Sequence, residues 1–292
     1  MTLVYRAILK TLAYADVFDY PLTIKELYRF LIIKRPLSFS SFREVLRRIQ
    51  ANEKRIEVKG KYFFLRGRGK IVNIRKKRER WSQKKIKIAR RVTKWLRLIP
   101  TVKMVAVTGA LAMKNSDKND DIDLLIVTAK NRLWLTRILV VFLVELVARR
   151  RRPKDVDVRD KICLNMFLDE KHLAVPKNEQ DLFTAHEVVQ LKPLWDKDNT
   201  YQKFLRANLW VKRFLANNLD IKGKKDKPLN FSISQFLNFL EHLAYKIQVA
   251  YMSSRRTREI VEFHRVRFHP QDCREWVIKE YQKRLKNLSL NS

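Results

Sequence analysis

The strongest constraint on the fold is a short ordered passage near the middle of the chain. Val102 to Val107 is an unbroken apolar run, closed by Thr108-Gly109-Ala110. Leu111-Ala112-Met113 then reads as a short helix, and Asn115 to Asn119 as a loop. Asp121-Ile122-Asp123 opens a second apolar run, Leu124-Leu125-Ile126-Val127. Short apolar runs bounded by Gly and polar clusters are strands buried on both faces. The passage therefore predicts strand, turn, helix, loop and strand within one small mixed sheet. Asp121 and Asp123 are two apart on a strand, so both side chains leave the same face. Two adjacent carboxylates repel each other unless a cation lies between them. Mg2+, or Mn2+ in its place, suits them, being a hard ion that is usually shared with substrate phosphates. Gly109 lets the backbone approach a triphosphate, and the helix beginning there offers free N–H groups to it.

The flanks differ from this centre in charge. The 292 residues carry 64 Lys+Arg against 30 Asp+Glu, a net charge of +34. Residues 1–100 hold 28 of those cations and only 7 of the anions, so the excess concentrates there. Such a field attracts polyanions, nucleic acid first among them. Within this third, Tyr5 to Tyr14, Ile24 to Leu31 (capped by Thr23) and Phe42 to Gln50 (capped by Ser40 or Ser41) read as helices. Ile56-Glu57-Val58 and Tyr62 to Leu65 follow as a hairpin around Gly60. Three short helices and a hairpin follow the order of a winged helix-turn-helix, whose third helix enters the major groove. Arg43, Arg47 and Arg48 on that helix, with Lys59, Lys61 and Arg66 on the hairpin, are then the candidate nucleic-acid contacts. The alternative is a module of the same shape used for protein packing.

Further along, Lys76 to Leu98 reads as a long basic connector helix. Leu133 to Ala148 imitates a membrane span but is short for one and contains Arg137 and Glu145, so a buried helix crossing a sheet fits it better. Ile162 to Leu168 reads as a third strand, and everything after it as helical: about 179–190, 201–217, 233–252 and 274–286, with a charged linker at Lys222 to Lys227. Cys163 and Cys273 have no metal-ligand spacing and form no disulfide framework, which fits a reducing cytoplasm. The expected class is α+β: a winged helix-turn-helix at 1–70, a connector at 71–100, a small mixed-sheet domain at 101–175 and a helical region at 176–292.

The central passage resembles the DNA polymerase β-like nucleotidyltransferase superfamily over about Val102 to Leu168. The family's hydrophobic-Gly-Ser element falls on Val107 to Ala110, with Gly109 as its glycine, and its acidic pair falls on Asp121-Ile122-Asp123. The resemblance implies transfer of a nucleoside monophosphate from a nucleoside triphosphate to a hydroxyl. Asp121 and Asp123 would be the metal ligands, and Thr108, Gly109, Ala110, Ser116 and Arg137 the nucleotide-binding set.

Two departures stand out. Ala110 replaces the small hydroxyl residue that follows the glycine, leaving Thr108 or Ser116 to substitute. The family's third carboxylate, on a later strand, meets Asn165, which can ligate through its carbonyl but is a poor base. Asp157 and Asp160 precede that strand and Asp169 follows it. The chain is therefore either an active transferase or a catalytically degenerate fold serving a DNA-binding regulator or nucleotide sensor. A peripheral membrane protein is the minor third reading. His269, beside Pro270, reads as a structural histidine or a phosphate contact.

Overall fold

The computed structural model describes residues 3–52, 54–153, 155–218, 235–253, 260–267 and 273–290; Lys222 to Lys227 and His269 lie outside them. In chain order its elements begin with α1 (Leu3–Asp16), β1 (Leu22–Thr23), α2 (Ile24–Arg29), α3 (Phe39–Asn52), β2 (Ile56–Lys59) and β3 (Tyr62–Leu65). The long helix α4 (Ile71–Leu96) leads to β4 (Val102–Val107), α5 (Gly109–Ala112), β5 (Ile122–Thr128), α6 (Leu133–Val147) and β6 (Ile162–Asp169). Then come α7 (Leu182–Gln190), β7 (Lys192–Asp196), α8 (Thr200–Ala207), α9 (Gln235–Ser253), β8 (Ile260–Val261), β9 (Arg265–Arg267) and α10 (Cys273–Asn287). The class is mixed α+β.

Local signals explain most boundaries. Thr23 caps α2 through a complete capping box: its hydroxyl accepts from the Glu26 amide, and the Glu26 carboxylate accepts from the Thr23 amide. The serine expected to cap α3 is neither Ser40 nor Ser41. Ser38 takes the role, its Oγ accepting from the Ser41 amide at 3.1 Å, so the helix starts at Phe39. Gly60 turns the β2–β3 hairpin with φ +60°, where a side chain would be strained. The region after β6 is not purely helical. β7, β8 and β9 are strands; β8 and β9 are only two and three residues long, and β7 carries Pro193 in its run. Pro193 in β7 removes a ladder donor, which an edge strand tolerates, and β7 is at the edge.

β1, β3 and β2 form a three-stranded antiparallel sheet. The larger sheet runs β7-β4-β5-β6-β9-β8, with β5 and β6 its parallel pair. Alternation along β5 divides its side chains between two cores. Leu125 and Val127 join a cluster shared with α1, α2, α7, α8 and α10, while Ile122, Leu124 and Ile126 join one beneath α4 and α6. The first cluster is continuous from the N-terminal helices to the large sheet.

Arg75 near the start of α4 is a principal tie between these parts. It is 5% exposed and reaches Glu26 with both terminal nitrogens, at 2.9 and 2.8 Å. It also bonds the Pro21 carbonyl and stacks against Tyr20 and Tyr62. A bidentate, stacked contact of this kind needs a guanidinium rather than an ammonium. No helix among the described residues is long and apolar enough to cross a membrane.

His186 of α7 is 4% exposed and stacks on Tyr14 at 4.1 Å between ring centroids. Burial pushes its pKa down to about 3. Unfolding frees it to about 6.5, so the unfolded chain binds the extra proton in between. The stability it confers is whole above the unfolded value and is lost as pH falls toward the folded one. Thermal melts should therefore show Tm falling through this window, and a His186→Phe variant should show a smaller fall. Identical slopes would remove this histidine from the acid sensitivity.

Candidate functional site

The acid pair emerges where β5 begins. Asp121 stands just before the strand and Asp123 is its second residue, with the intervening Ile122 fully buried in the opposite core. The preceding loop is braced from α4. Lys85, 1% exposed, donates to the carbonyls of Asp120 (2.6 Å) and Lys118 (3.2 Å) and to Oδ1 of Asp160 (2.9 Å). Asp120 accepts in turn from the Asp117 amide at 2.6 Å and the Ser116 hydroxyl at 3.2 Å.

Gly109 faces the pair. Its φ is +56°, and a Cβ there would come 3.6 Å from Oδ2 of Asp123, in the space above that carboxylate. The strand β4 carries this turn to the site: the Thr108 amide donates to the Asp123 carbonyl at 3.2 Å. Thr108 Oγ1 is buried and makes no hydrogen bond among the described residues. Ala110 is exposed.

Parallel pairing of β5 and β6 puts Cys163 directly opposite Asp123. A ligand atom from each of Asp121, Asp123 and Cys163 lies within 4.8 Å of the other two. Burial, with Asp121 next to it, raises the Asp123 carboxyl to about 7, and burial beside the two acids pushes the Cys163 thiol far up. Arg151 crosses to Asp121, its Nη1 2.6 Å from Oδ2. Asn165 sits one step further along, where the β5–β6 register shifts between Asp123 and Leu125.

Beside the pair, on the same face of the sheet, is a cavity of about 120 Å3. Leu125, Leu168 and Phe183 give it an apolar body, while Thr108, Asn165, Glu187 and Arg267 place polar groups at its wall. Burial lifts the Glu187 carboxyl to about 7, with Arg267 opposing that shift.

The expected residues thus separate. Thr108, Gly109, Asp121, Asp123 and Asn165 come together on one face. Ser116 is nearby, but its hydroxyl is spent on Asp120 and the Asp117 carbonyl. Arg137 does not join them. It sits on α6, against the opposite face, and bonds Gln248 of α9. Of the alternative third acids, Asp160 is held by Lys85, Asp157 is exposed and paired with Arg159, and Asp169 ends β6 at the far end of the strand. Cys163, Arg151, Lys85 and Glu187 were missed. Only the register between distant strands or the packing of α4 and α7 brings them in.

Of the six basic positions proposed to meet nucleic acid, Arg43, Arg47 and Arg48 are exposed on α3, and Lys59, Lys61 and Arg66 are exposed on the hairpin. Arg48 is paired with Glu44 at 2.6 Å, and the Arg66 guanidinium is 3.9 Å from Glu57. No protein-family model matches the chain, and no curated protein matches it either.

The two cysteines provide a direct check of the site's enclosure. Cys163 is 9% exposed with its thiolate disfavoured, whereas Cys273 is exposed. The thiolate is the reacting species. A maleimide should therefore label Cys273 in the native chain at least about tenfold faster than Cys163, with both labelling alike in denaturant. Mass spectrometry of the peptides reads the rates. Equal native rates would mean that the acid pair and its thiol lie open to solvent.

Proposed function

We propose that this chain is a nucleotidyltransferase-type protein with a winged helix-turn-helix module at its basic end. It would bind a nucleoside triphosphate with Mg2+ at Asp121 and Asp123 and transfer the nucleoside monophosphate to a hydroxyl acceptor. The observation that carries the reading is the juxtaposition of the Gly109 turn with the acid pair: a left-handed glycine whose added Cβ would come 3.6 Å from Oδ2 of Asp123, over two carboxylates on one face. The donor set suits a hard ion, since Mg2+ is commonly held by one or two carboxylates and completes its shell with water and phosphate oxygens. The Cys163 thiol, kept protonated, is no ligand for such an ion. Bound there, Mg2+ would supply charge neutralisation to the phosphates.

The chain's own residues would do the rest. Gly109 leaves room above Asp123, and Thr108 offers an unsatisfied hydroxyl at the cavity wall. Asn165 and Glu187 would orient whatever occupies the cavity. With Cys163 in register with Asp123, Glu187 is the nearby carboxyl best suited to take a proton: its value of about 7 matches a general base near neutrality.

A second reading is favoured by Arg151. A guanidinium 2.6 Å from Asp121 partly fills the cation's place, and a thiol stands beside Asp123. Both suit a site that binds nucleotide without transferring it, in a regulator or nucleotide sensor.

Incubation with each labelled nucleoside triphosphate, Mg2+ or Mn2+, and mixed RNA, DNA and protein acceptors separates the two. Transfer should occur and should drop by at least about 100-fold in Asp121→Asn and Asp123→Asn, in line with loss of electrostatic stabilisation at a reacting centre. Metal-dependent nucleotide binding without transfer would establish the sensor reading. Absence of both would overturn the proposal.

The basic module has its own test. Binding to duplex DNA should weaken with salt, and the slope of log K against log salt should shrink by about 1 for each of Arg43→Ala, Arg47→Ala and Lys59→Ala. Slopes unchanged in all three would move the polyanion site elsewhere.

A further inference from the structure

A second cluster lies at the opposite end of β6 from the acid pair. Asp169 ends the strand, His172 follows on the turn, and His264 comes from the β8–β9 hairpin. One ligand atom from each lies within 4.8 Å of the other two. The two imidazoles stack almost parallel, 3.9 Å apart at 12°, and both turn Nδ1 toward the same carboxylate.

The distances are informative. His264 Nδ1 is 3.5 Å from Asp169 Oδ2, and His172 Nδ1 is 3.7 Å from Oδ1. Both exceed hydrogen-bond range. His264 Nδ1 is also buried and has no hydrogen-bond partner among the described residues. Two ring nitrogens therefore converge on one carboxylate without closing a hydrogen bond to it, an arrangement that a shared cation accounts for. Two donors on one tetrahedral zinc sit about 3.4 Å apart, as follows from Zn–N and Zn–O bonds near 2.1 Å. The Nδ1–carboxylate spacings are already close to that value, and binding would tilt the two imidazole planes out of their stack so that both lone pairs meet the ion.

The carboxylate is prepared for the role. Oδ2 of Asp169 accepts from the Asn131 amide at 2.6 Å, and Oδ1 accepts from the Lys171 amide at 2.8 Å. Each oxygen keeps a second lone pair for a metal, and the two amides act as the outer partners that orient a ligand. The His172 side chain is 49% exposed and leaves an entry path.

We propose that Asp169, His172 and His264 form a binding site for a borderline divalent cation of the Zn2+ class, completed by water. Two imidazoles and one carboxylate select that class over Mg2+. The ion would pin the β8–β9 hairpin to the end of β6, so its binding adds to the stability of the folded chain.

Co2+ titration of the untagged chain tests this, because four-coordinate Co2+ has visible absorption bands that Zn2+ abolishes on displacement. The wild type and Cys163→Ser should both bind the ion, and Zn2+ should raise their Tm. His172→Ala and His264→Ala, at sites exposed enough to tolerate truncation, should each lose affinity by at least about tenfold. Far-UV circular dichroism confirms that the variants are folded. No Co2+ on the folded wild type, or wild-type affinity retained in both histidine variants, would overturn the site. Loss in Cys163→Ser alone would also overturn it, placing the metal at the acid pair.

Discussion

The ammonium of Lys85 is the interaction on which the acid pair depends most directly. It comes from a long basic helix and is buried among the carbonyls of Lys118 and Asp120 and the carboxylate of Asp160. A charge in that position is tolerated because each of its three protons has an acceptor. Those acceptors bracket the site: two lie on the loop leading into β5, and the third lies just before β6. One side chain therefore sets where both strands begin. It does so one residue before Asp121, where a small displacement would separate the carboxylates.

Around that point the sheet does the sorting. β5 is buried on both faces, so its alternate residues answer to different cores. The face bearing Asp121 and Asp123 looks toward α7 and the N-terminal helices; the other looks toward α4 and α6. The cavity, the orphaned Thr108 hydroxyl and Glu187 lie on the first face, while Arg137 lies on the second. Chemistry and scaffold are thus separated by the thickness of one strand.

The parts of this arrangement carried by local periodicity could be read in advance. Asp121 and Asp123 are neighbours because strands repeat every two residues, and Gly109 was legible because an apolar run stopped at it. The cap at Thr23 and the hairpin at Gly60 were visible for similar reasons. What stayed hidden depends on distant segments. Cys163 faces Asp123 because of parallel pairing between strands separated by a helix, and a register shift then carries Asn165 past the acid pair. Lys85 looks like any other lysine on a basic helix. Ser38 was passed over for Ser40 and Ser41 because all three sit in one serine-rich turn. β8 and β9 were missed because runs of two and three residues carry no pattern, and β7 because Pro193 interrupts it and no turn glycine marks its ends.

Asp16, at the end of α1, is gripped from both sides: Arg68 holds one oxygen at 2.7 Å and Arg284 of α10 holds the other at 2.8 Å. Val277, Tyr281 and Leu285 of α10 fill the same core as α1. During synthesis α1 therefore lacks part of its packing until residue 285 has emerged, and its apolar face stays partly uncovered while the segments between the two helices are made.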